Sequence, residues 1–379
     1  MNDIRERCRL AVQLTLQTVL DEELEELVGA ERYERSDERI DARNGSYKRT
    51  VATTLGPAEL SVGRSRTGGG ASQAIGRYRR RTAELDDMVT EAYVRGLSTR
   101  DMAPVAAALT GQPIGRSTVS RVTKRLDGAI EELRREPIEE PIAYLYLDAT
   151  FVDARWARSV ENVSALVAYG IVPDGKRRLL GVQIGAAESE ETWTELLREL
   201  VERGLHGVRL VIADNHAGLR NAVRKLLPEA PMQRCTVHLL RNVLSHTPAK
   251  HRTRLAREAA HVIHAADLKA AKQALASFRE RLGQQFPEAT KCLVDGFDAA
   301  TQYYAFPKAH WQRIRTTNGL ERLHGEIKRR TRAVGAFPDR ASALRLITTV
   351  ALQVTSIWSD RKYLDMSLFE NHPNRRHVA

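Results

Sequence analysis

The chain lacks the features that mark secreted and membrane-spanning proteins. Its three cysteines, Cys8, Cys235 and Cys292, are odd in number and scattered over 379 residues, which argues against a disulfide framework and favours a reducing compartment. No apolar run approaches the roughly 20 residues needed to cross a bilayer, and the N-terminal sequence has no apolar signal-peptide segment. We therefore expect a cytoplasmic protein with no membrane contact.

Acidic residues are also scarce relative to basic ones. The chain has 59 lysines and arginines against 48 aspartates and glutamates, a formal net charge of +11. This balance favours nucleic acid over a small acidic substrate as the partner, although a ribosomal or membrane-surface protein would share it. Hydrophobic residues make up 42% of the chain, which is enough for ordinary cores, and the length predicts two or three domains.

No acidic residue occurs between Glu59 and Glu84. The segment holds three consecutive glycines and the arginines Arg64, Arg66, Arg77, Arg79, Arg80 and Arg81. It is either a solvated flexible linker or a basic arm laid along a phosphate backbone, because like charges so close together repel unless an anion neutralises them. In the second case we expect Arg79 and Arg80 to contact DNA.

The sequence before residue 82 predicts a helix followed by a small β-hairpin. Apolar residues recur at helical spacing up to Gly29, which predicts a helix stop. Residues 50–55 and 58–62 have the composition of short strands, and Gly56-Pro57 lies between them. We therefore expect the hairpin turn at this dipeptide.

Residues 82–133 carry the clearest helical pattern. Ser98 and Asp101 resemble a capping box that starts a second helix, and Ser117 is predicted to cap a third helix that continues to Ile130. This helix-turn-helix layout has a polar, basic third helix. Helical hairpins with basic faces are common, so this pattern alone is only moderately specific for DNA binding. The positive charge of the whole chain adds support to the assignment as a DNA-binding helix-turn-helix. The predicted DNA contacts are Arg116, Ser117, Thr118, Ser120, Arg121 and Lys124.

From residue 141 the pattern changes to alternating strands and helices. Two apolar runs rich in β-branched and aromatic residues predict buried strands, and they end at Asp148 and Asp214. Ligands collect outside the carboxyl ends of such strands. A helical stretch from residue 239 to about 310 precedes a third acidic residue, Glu321. The 107 residues between Asp214 and Glu321 (321 − 214) leave room for an all-helical insertion.

The three acidic residues are candidate metal ligands. Isolated aspartates more often cap a helix, so the combination of all three in a basic chain carries the assignment. Carboxylate oxygens suit Mg²⁺ or Mn²⁺. Two such ions about 3.5–4 Å apart activate a water or a 3′-hydroxyl and stabilise the leaving oxygen. The sequence therefore indicates metal-assisted phosphodiester chemistry on DNA.

Glu326 competes with Glu321 for the third position. On a helix whose buried side is formed by Leu320, Leu323 and Ile327, the two glutamates fall on opposite flanks. Glu326 lies beside several arginines, where an exposed ion pair is expected, so we assign the role to Glu321.

Four further residues lie near these acids in the sequence or in the predicted fold. Cys235 and His238 have the spacing of half a zinc site, but no second pair lies nearby. We expect a packed cysteine, and a histidine that contacts a DNA phosphate or a catalytic carboxylate. Lys328 and Arg329 follow Glu321, and they are either solvated residues or contacts to phosphates near the scissile strand.

Five segments carry a resemblance to the Mutator-type transposases of bacterial insertion sequences, a branch of the DDE transposases. They are Gly96–Asp101, Ser117–Arg121, Glu188-Ser189 with Trp193, Arg234–Asn242 and Thr316–Arg332. They fall in order within a resemblance that covers about residues 43 to 365, and the last is long and highly specific. Departures are Ala149 and Asn215, where the family often has glycine, and His324, where it often has asparagine.

The resemblance implies an α/β RNase H-like catalytic core with an all-helical insertion, preceded by a mostly α-helical N-terminal DNA-binding region that contains a helix-turn-helix and a small β-hairpin. Asp148, Asp214 and Glu321 would form the catalytic and metal-binding triad, with two Mg²⁺ or Mn²⁺ ions. Cys235, His238 and His324 would be accessory residues of the active site. The implied divisions are 1–81 (hairpin and basic arm), 82–137 (helix-turn-helix), 138–238 with 316–365 (core), 239–315 (insertion) and 366–379 (C-terminal tail).

The implied function is that of a transposase that binds terminal inverted repeats, cleaves DNA and transfers a 3′-hydroxyl to target DNA. It would act as a homodimer on DNA in the bacterial cytoplasm, associated with the nucleoid when bound. An RNase H-like nuclease or resolvase is an alternative that needs neither the helix-turn-helix nor the insertion. A domesticated, non-catalytic DNA-binding regulator is another, and the three intact carboxylates argue against it.

Overall fold

The computed structural model describes residues 2–35, 37–67, 72, 75–76, 79–156, 159–358 and 360–370. Arg77 and residues 371–379 of the predicted tail lie outside these ranges. The chain divides into two compact units, Met1–Arg125 and Leu126–Ala379. This division falls before the expected boundary at residue 137, because the helix Asp127–Arg135 packs within the second unit, where the Asp127 carboxylate accepts hydrogen bonds from Arg345 at 2.6 and 2.9 Å.

The first unit begins with a long helix packed on a β-hairpin. The contact is apolar and is formed by Leu20 from the helix and by Val51 and Leu60 from the hairpin. Gly29 adopts a left-handed conformation after the helix, as a helix stop requires. The elements of this unit are α1 Asn2–Val28, β1 Arg43–Thr53, β2 Gly56–Ser65, α2 Ala83–Val94, α3 Met102–Thr110 and α4 Arg116–Thr123.

The hairpin is confirmed, but its turn is displaced. Gly56 and Pro57 open β2 and pair with Thr53 and Ala52 of β1. The connection is therefore made by Thr54-Leu55, and proline is tolerated because it lies at the start of the strand.

The predicted third helix is interrupted. The α4 helix ends at Thr123, a 3₁₀ turn covers Lys124–Leu126, and a new helix, α5, spans Asp127–Arg135. Arg125 lies in this turn, where its guanidinium hydrogen-bonds the Thr90 hydroxyl at 2.7 Å and pairs with Asp87 at 2.7 Å. Gly115, in extended conformation, precedes α4, so the expected cap at Ser117 lies inside the helix instead. The Ser98 hydroxyl accepts the Asp101 N–H at 3.2 Å, but the second helix begins only at Met102, with Asp101 and not Ser98 at its N-cap.

The second unit contains a mixed sheet with helices, so the α/β expectation is confirmed. The elements are β3 Tyr144–Trp156, β4 Ser159–Ile171, β5 Arg177–Gly185, α6 Glu190–Glu202, β6 Leu210–Ala213, α7 Ala217–Leu226, β7 Met232–Arg234 and β8 Ala336–Phe337. Strand order is β5-β4-β3-β6-β7, with β8 paired to β3 beyond the carboxyl end of β6. The β3, β4 and β5 strands are antiparallel neighbours, whereas β6 and β7 run parallel to β3.

The helical stretch after β7 has a core of its own. The remaining helices are α8 Thr236–Ser245, α9 Arg252–Ile263, α10 Leu268–Leu282, α11 Pro287–Ala300, α12 Trp311–Ile314, α13 Asn318–Val334, α14 Arg340–Thr355 and α15 Ser367–Glu370. Buried residues of α8, α9, α10 and α11 pack together with Phe286, which directly precedes α11.

The α14 helix is unusually apolar. With its following turn, Arg340–Trp358 is long and apolar enough to cross a membrane by length and composition, which differs from our expectation that no such run exists. More than half of this segment is buried. It packs on β3, β4 and β5, so its apolar side chains belong to the core of the second unit.

Candidate active site

Asp148 and Asp214 lie at neighbouring positions of the sheet. The parallel register ends at the pair Tyr146 of β3 and Ile212 of β6. Asp148 follows two residues later within β3, and Asp214 follows two residues later, directly after the end of β6. The register between β6 and β7 pairs Ala213 with Arg234, which places Cys235 beside Asp214. Asp214 and Cys235 directly follow β6 and β7, whereas β3 does not end at Asp148, as the sequence predicted, but continues to Trp156. Asp148 therefore lies within the long strand, at the level where its shorter parallel neighbours end.

Asp148 is a buried carboxylic acid, with only 12% of its side chain exposed. Burial disfavours its charged form and raises its pKa to about 7. His238 opposes this shift, whereas the carboxylates of Asp214 and Glu188 add to it. Its one hydrogen bond among the described residues comes from the Ala149 backbone N–H, at 3.0 Å. Asp148 therefore needs a cation nearby to be fully ionised at neutral pH.

The α13 helix reaches Asp148 through His324. The Nδ1 atom of His324 lies 3.5 Å from the Oδ2 atom of Asp148, and the imidazole is buried. Burial, together with the cations Lys328 and His238, lowers the pKa of His324 to about 3. The imidazole is therefore neutral, and its contact with Asp148 is not a charge pair.

Glu321 lies in the first turn of α13 and meets an arginine. Its Oε1 atom is 3.1 Å from the Nη2 atom of Arg241 in α8, without the angles of a hydrogen bond. One third of the Glu321 side chain is exposed, but this oxygen is buried. Electrostatic attraction to Arg241 thus holds the Glu321 side chain toward α8.

Glu326 has the surroundings expected of an ordinary ion pair. Its carboxylate accepts hydrogen bonds from Arg329 at 3.0 Å and Arg330 at 2.6 Å. These bonds lower the pKa of Glu326. Leu320, Leu323 and Ile327 form the buried side of α13, so the two glutamates do lie on the flanks that the sequence predicted.

Cys235 and His238 form a polar pair at the start of α8. Burial alone would raise the pKa of Cys235, but interactions with His238 and Thr317 outweigh it and lower that pKa. The interaction with Cys235 raises the pKa of His238 to about 9, and Asp214 and Asp148 contribute to the increase. His238 is therefore a cation close to the two aspartates. The Thr317 N–H also points to the Cys235 sulfur at 3.4 Å, which ties α8 to the start of α13.

Glu188 belongs to one of the segments that carry the family resemblance, but sequence reasoning gave it no role in this region. Its carboxylate accepts a hydrogen bond from the Trp193 indole at 3.2 Å and lies 3.7 Å from the Nδ1 atom of His216, two residues after Asp214. The start of α7 is packed so closely on this turn that a Cβ at Gly218 would lie 2.5 Å from the Glu190 nitrogen. The signal was an acidic residue directly before the Ser189 helix cap, near the carboxyl end of β5.

The carboxylate oxygens suit Mg²⁺ or Mn²⁺. Asp148 and Asp214 each accept one backbone N–H, and no described residue donates a hydrogen bond to Glu321 Oε1. Among the described residues, each carboxylate therefore has lone pairs that no hydrogen bond uses. However, no set of three or more His, Cys, Asp or Glu side chains among the described residues is grouped closely enough to hold a metal ion. Joint coordination therefore requires the carboxylates to come closer together than they lie here.

The residues predicted to contact DNA are largely exposed. In the first unit Val119 and Val122 bury one side of α4, and Thr118 is half-buried. The backbone of the basic arm is anchored near its end, since the Ala52 N–H donates to the Arg80 carbonyl at 2.9 Å. The fully exposed candidates of this unit are Arg79, Arg80, Arg116, Ser117, Ser120, Arg121 and Lys124. In the second unit Lys328 and Arg329 are exposed on α13.

Comparisons with known proteins give one family. Residues 1–360 match the family described as "Transposase, Mutator family". The transposase of insertion sequence element ISRM5 from Rhizobium meliloti is 36% identical over 96% of this chain and 92% of its own length. The transposase of IS256 in transposon Tn4001 from Staphylococcus aureus is 35% identical over 92% and 90%, respectively. The transposase of IS406 from Burkholderia multivorans is 34% identical over 90% and 88%.

Solved structures are much more distant. A chain of the simian T-cell lymphotropic virus intasome in complex with PP2A regulatory subunit B56 gamma aligns with 43% of this chain and 66% of its own, at 12% identity and a TM-score of 0.17. Similarity at this level supports no conclusion about fold or function. The sequence relationships are decisive by contrast, because they extend over nearly the whole chain at about one third identity. On that basis the chain belongs to the Mutator family of transposases.

Proposed function

We propose that this transposase binds the terminal inverted repeats of an insertion sequence, then cleaves DNA and joins the 3′-hydroxyl to target DNA through Asp148, Asp214 and Glu321. The proposed catalytic fold is RNase H-like. It is supported by the order of the sheet, in which an antiparallel meander of β3, β4 and β5 is followed by α6 and then by β6 and β7 parallel to β3.

One observation carries the catalytic assignment. Asp214 directly follows β6, the parallel neighbour of β3, and its charge contributes to the raised pKa of Asp148, while His324 on the helix that bears Glu321 lies 3.5 Å from Asp148. Asp148 and Glu321 are 173 residues apart in the sequence (321 − 148), yet the fold brings the helix that bears Glu321 next to Asp148. Three carboxylates near the same edge of a basic protein fit divalent-metal chemistry on a phosphodiester.

The residues of the chain prepare the site in distinct ways. Mg²⁺ or Mn²⁺, as two ions held by Asp148, Asp214 and Glu321, would lower the pKa of the attacking hydroxyl and stabilise the leaving oxygen. Asp148, with its pKa near 7, gives up its proton when a cation compensates its charge. The neutral imidazole of His324 packs against Asp148 and limits its movement.

The proposed DNA contacts belong to both units. In the first, α3 and α4 form a helix-turn-helix, and α4 presents its exposed basic side to the inverted repeat. Arg79 and Arg80 follow the phosphate backbone. In the second, Lys328 and Arg329 contact phosphates near the scissile strand. A homodimer assembled on DNA would hold two ends together.

The test compares single-charge removals on the full chain. We expect Asp148→Asn, Asp214→Asn and Glu321→Gln each to abolish strand cleavage and strand transfer in Mg²⁺, because an amide keeps the shape but removes the charge that the cation needs. Binding of a duplex from the end of the element should change little. Cleavage is measured on end-labelled duplex, and binding by gel shift in EDTA.

Glu326→Gln is the matched control on the same helix and should keep most activity. An inactive Glu326→Gln beside an active Glu321→Gln would refute the assignment of the third carboxylate. Wild-type protein that binds the duplex but never cleaves it would favour the non-catalytic regulator. Cleavage of branched DNA without strand transfer would favour a resolvase.

A further inference from the structure

Arg241 approaches Glu321 from a different element. It belongs to α8, three residues after His238, so the two side chains share one side of that helix. His238 is the cation near Asp148 and Asp214, and Arg241 is the cation at Glu321, 3.1 Å from its Oε1 atom. A single helix therefore supplies positive charge to all three proposed catalytic carboxylates.

This ion pair differs from the neighbouring one at Glu326. Glu326 is bonded by Arg329 and Arg330 from its own helix, at the i+3 and i+4 spacing typical of surface pairs. Arg241 instead comes from α8, and it meets an oxygen atom that is itself buried. A divalent ion at that oxygen would repel the guanidinium, so Glu321 can bind only one of the two cations at a time.

We propose that Arg241 is a positioning residue that exchanges partners when DNA binds. Without DNA it holds Glu321 away from the aspartates. With DNA its guanidinium moves to a phosphate of the bound strand, and Glu321 is released to the divalent ions. This inference rests on the proposed role of Asp148, Asp214 and Glu321.

The chemistry of the pair makes such an exchange feasible. Arg241 is 60% exposed, so an incoming strand reaches it without unfolding of the protein. Guanidinium binds phosphate through two parallel hydrogen bonds, which its present contact with Glu321 does not provide. Partly exposed ion pairs contribute little free energy, so a phosphate of the bound strand is able to displace the carboxylate.

The experiment measures Mn²⁺ affinity, which does not depend on turnover. The full chain is titrated with Mn²⁺ by calorimetry, first alone and then bound to a duplex from the end of the element. Wild type is compared with Arg241→Gln, Arg241→Lys and the control Arg281→Gln. Arg281 also pairs with a carboxylate, Glu258 at 2.7 Å, but both lie in the helical insertion. Thermal unfolding confirms that each variant is folded.

Without DNA we expect Arg241→Gln to bind Mn²⁺ roughly two- to fivefold more tightly than wild type, the range set by a partly exposed ion pair. Arg241→Lys should fall between them, and Arg281→Gln should match wild type. With DNA bound, the difference between Arg241→Gln and wild type should disappear, because the phosphate has already removed Arg241 from Glu321.

Equal Mn²⁺ affinity of Arg241→Gln and wild type without DNA would overturn the proposal. A difference that persists unchanged with DNA would also overturn it, since Arg241 would then not have moved. If wild type bound no Mn²⁺ in either state, the proposed triad itself would fail and the exchange with it. The triad would stand, and only the exchange would fail, if Mn²⁺ bound equally well in every variant while Asp148→Asn abolished cleavage.

Discussion

The charge of Asp148 is set by what surrounds it. An aspartate in water has lost its proton well below neutral pH, but burial holds the pKa of this one near 7. The unfolded chain releases this proton near pH 3.8, the ordinary value for aspartate. Between these two values the native state binds the proton more tightly, so the contribution of Asp148 to the free energy of unfolding falls as pH rises from about 4 to 7.

We therefore expect Asp148→Asn to stabilise the metal-free protein, and more at pH 8 than at pH 5. The shift from 3.8 to about 7 corresponds to at most about 4 kcal/mol once the carboxylate is fully charged. Thermal unfolding in EDTA at several pH values measures the difference, which should grow up to pH 7 and then stay constant. A difference independent of pH would show that Asp148 titrates normally.

Glu326→Gln is a control of opposite sign. The pKa of Glu326 is lowered by Arg329 and Arg330, so its contribution to stability is present above its unfolded pKa and is lost as pH falls. This variant should be less stable than wild type at pH 8, and the deficit should shrink in acid.

Single residues also show which contacts could be predicted from the sequence and which could not. The assignment of Glu326 to an ion pair followed from helix geometry alone, because its arginine partners lie three and four residues away. The ion pair between Arg241 and Glu321 joins residues 80 positions apart (321 − 241), and no local spacing encodes it. Glu188 was missed for the same reason, since its neighbour His216 belongs to another strand–helix connection.

At the scale of elements, the start of α13 is fixed by close contact with the sheet. The register of β3 and β4 pairs Tyr146 with Tyr169, whose rings stack at 4.4 Å. A Cβ atom on Gly319 would lie 2.5 Å from the Tyr169 hydroxyl, which is closer than two such atoms pack. A larger residue at position 319 would therefore clash with Tyr169. Gly319 lies two residues before Glu321.

Gly319→Ala should displace the start of α13, destabilise the protein by about 1–3 kcal/mol as overpacking does, and reduce strand cleavage. Tyr169→Phe removes the oxygen that the new methyl would meet. The double variant should therefore recover much of both losses, as measured by thermal unfolding and by cleavage of labelled duplex. Additive effects in the double variant would refute this contact as the cause. Gly325→Ala, with open space around its Cβ, is the control on the same helix.

Most elements were predictable because each has a local signal. The strands around Asp148 and Asp214 have apolar β-branched runs, and Ser189 caps α6 by accepting the Thr192 N–H, as its position predicted. The break between α4 and α5 was not predictable from periodicity. The apolar spacing continues through it, and the pairing of Arg125 with Asp87 and Thr90 in a separate helix accompanies the 3₁₀ turn.

At the scale of the whole molecule, the proposed tasks fall in different compact units. The α4 helix lies in the first unit, whereas Asp148, Asp214 and Glu321 lie in the second. Loss of a proposed DNA contact on α4 should therefore weaken binding without altering the proposed cation-binding carboxylates.

We expect Arg121→Ala to weaken binding of the full chain to the end duplex, by about 1–3 kcal/mol if it reads a base edge. Binding to random duplex should weaken less, so discrimination falls. Arg95→Ala is the control, because Arg95 is an exposed arginine directly after α2 that pairs with Glu91. Gel shifts at near-physiological salt measure both duplexes. Equal losses for Arg121→Ala and Arg95→Ala would remove α4 from the recognition surface.

The distance along the chain between the proposed catalytic residues has a consequence for protein synthesis. The ribosome adds roughly 5–20 residues per second, so Glu321 follows Asp148 after about 10–35 s, and the helices of the insertion are made in between. Once Asp214 has been added, the nascent protein carries its proposed recognition helix and two of the three proposed carboxylates. If the proposed roles hold, it would then bind DNA without a complete set of cation ligands. The order of residues would thus delay the proposed cleavage until translation has passed the insertion.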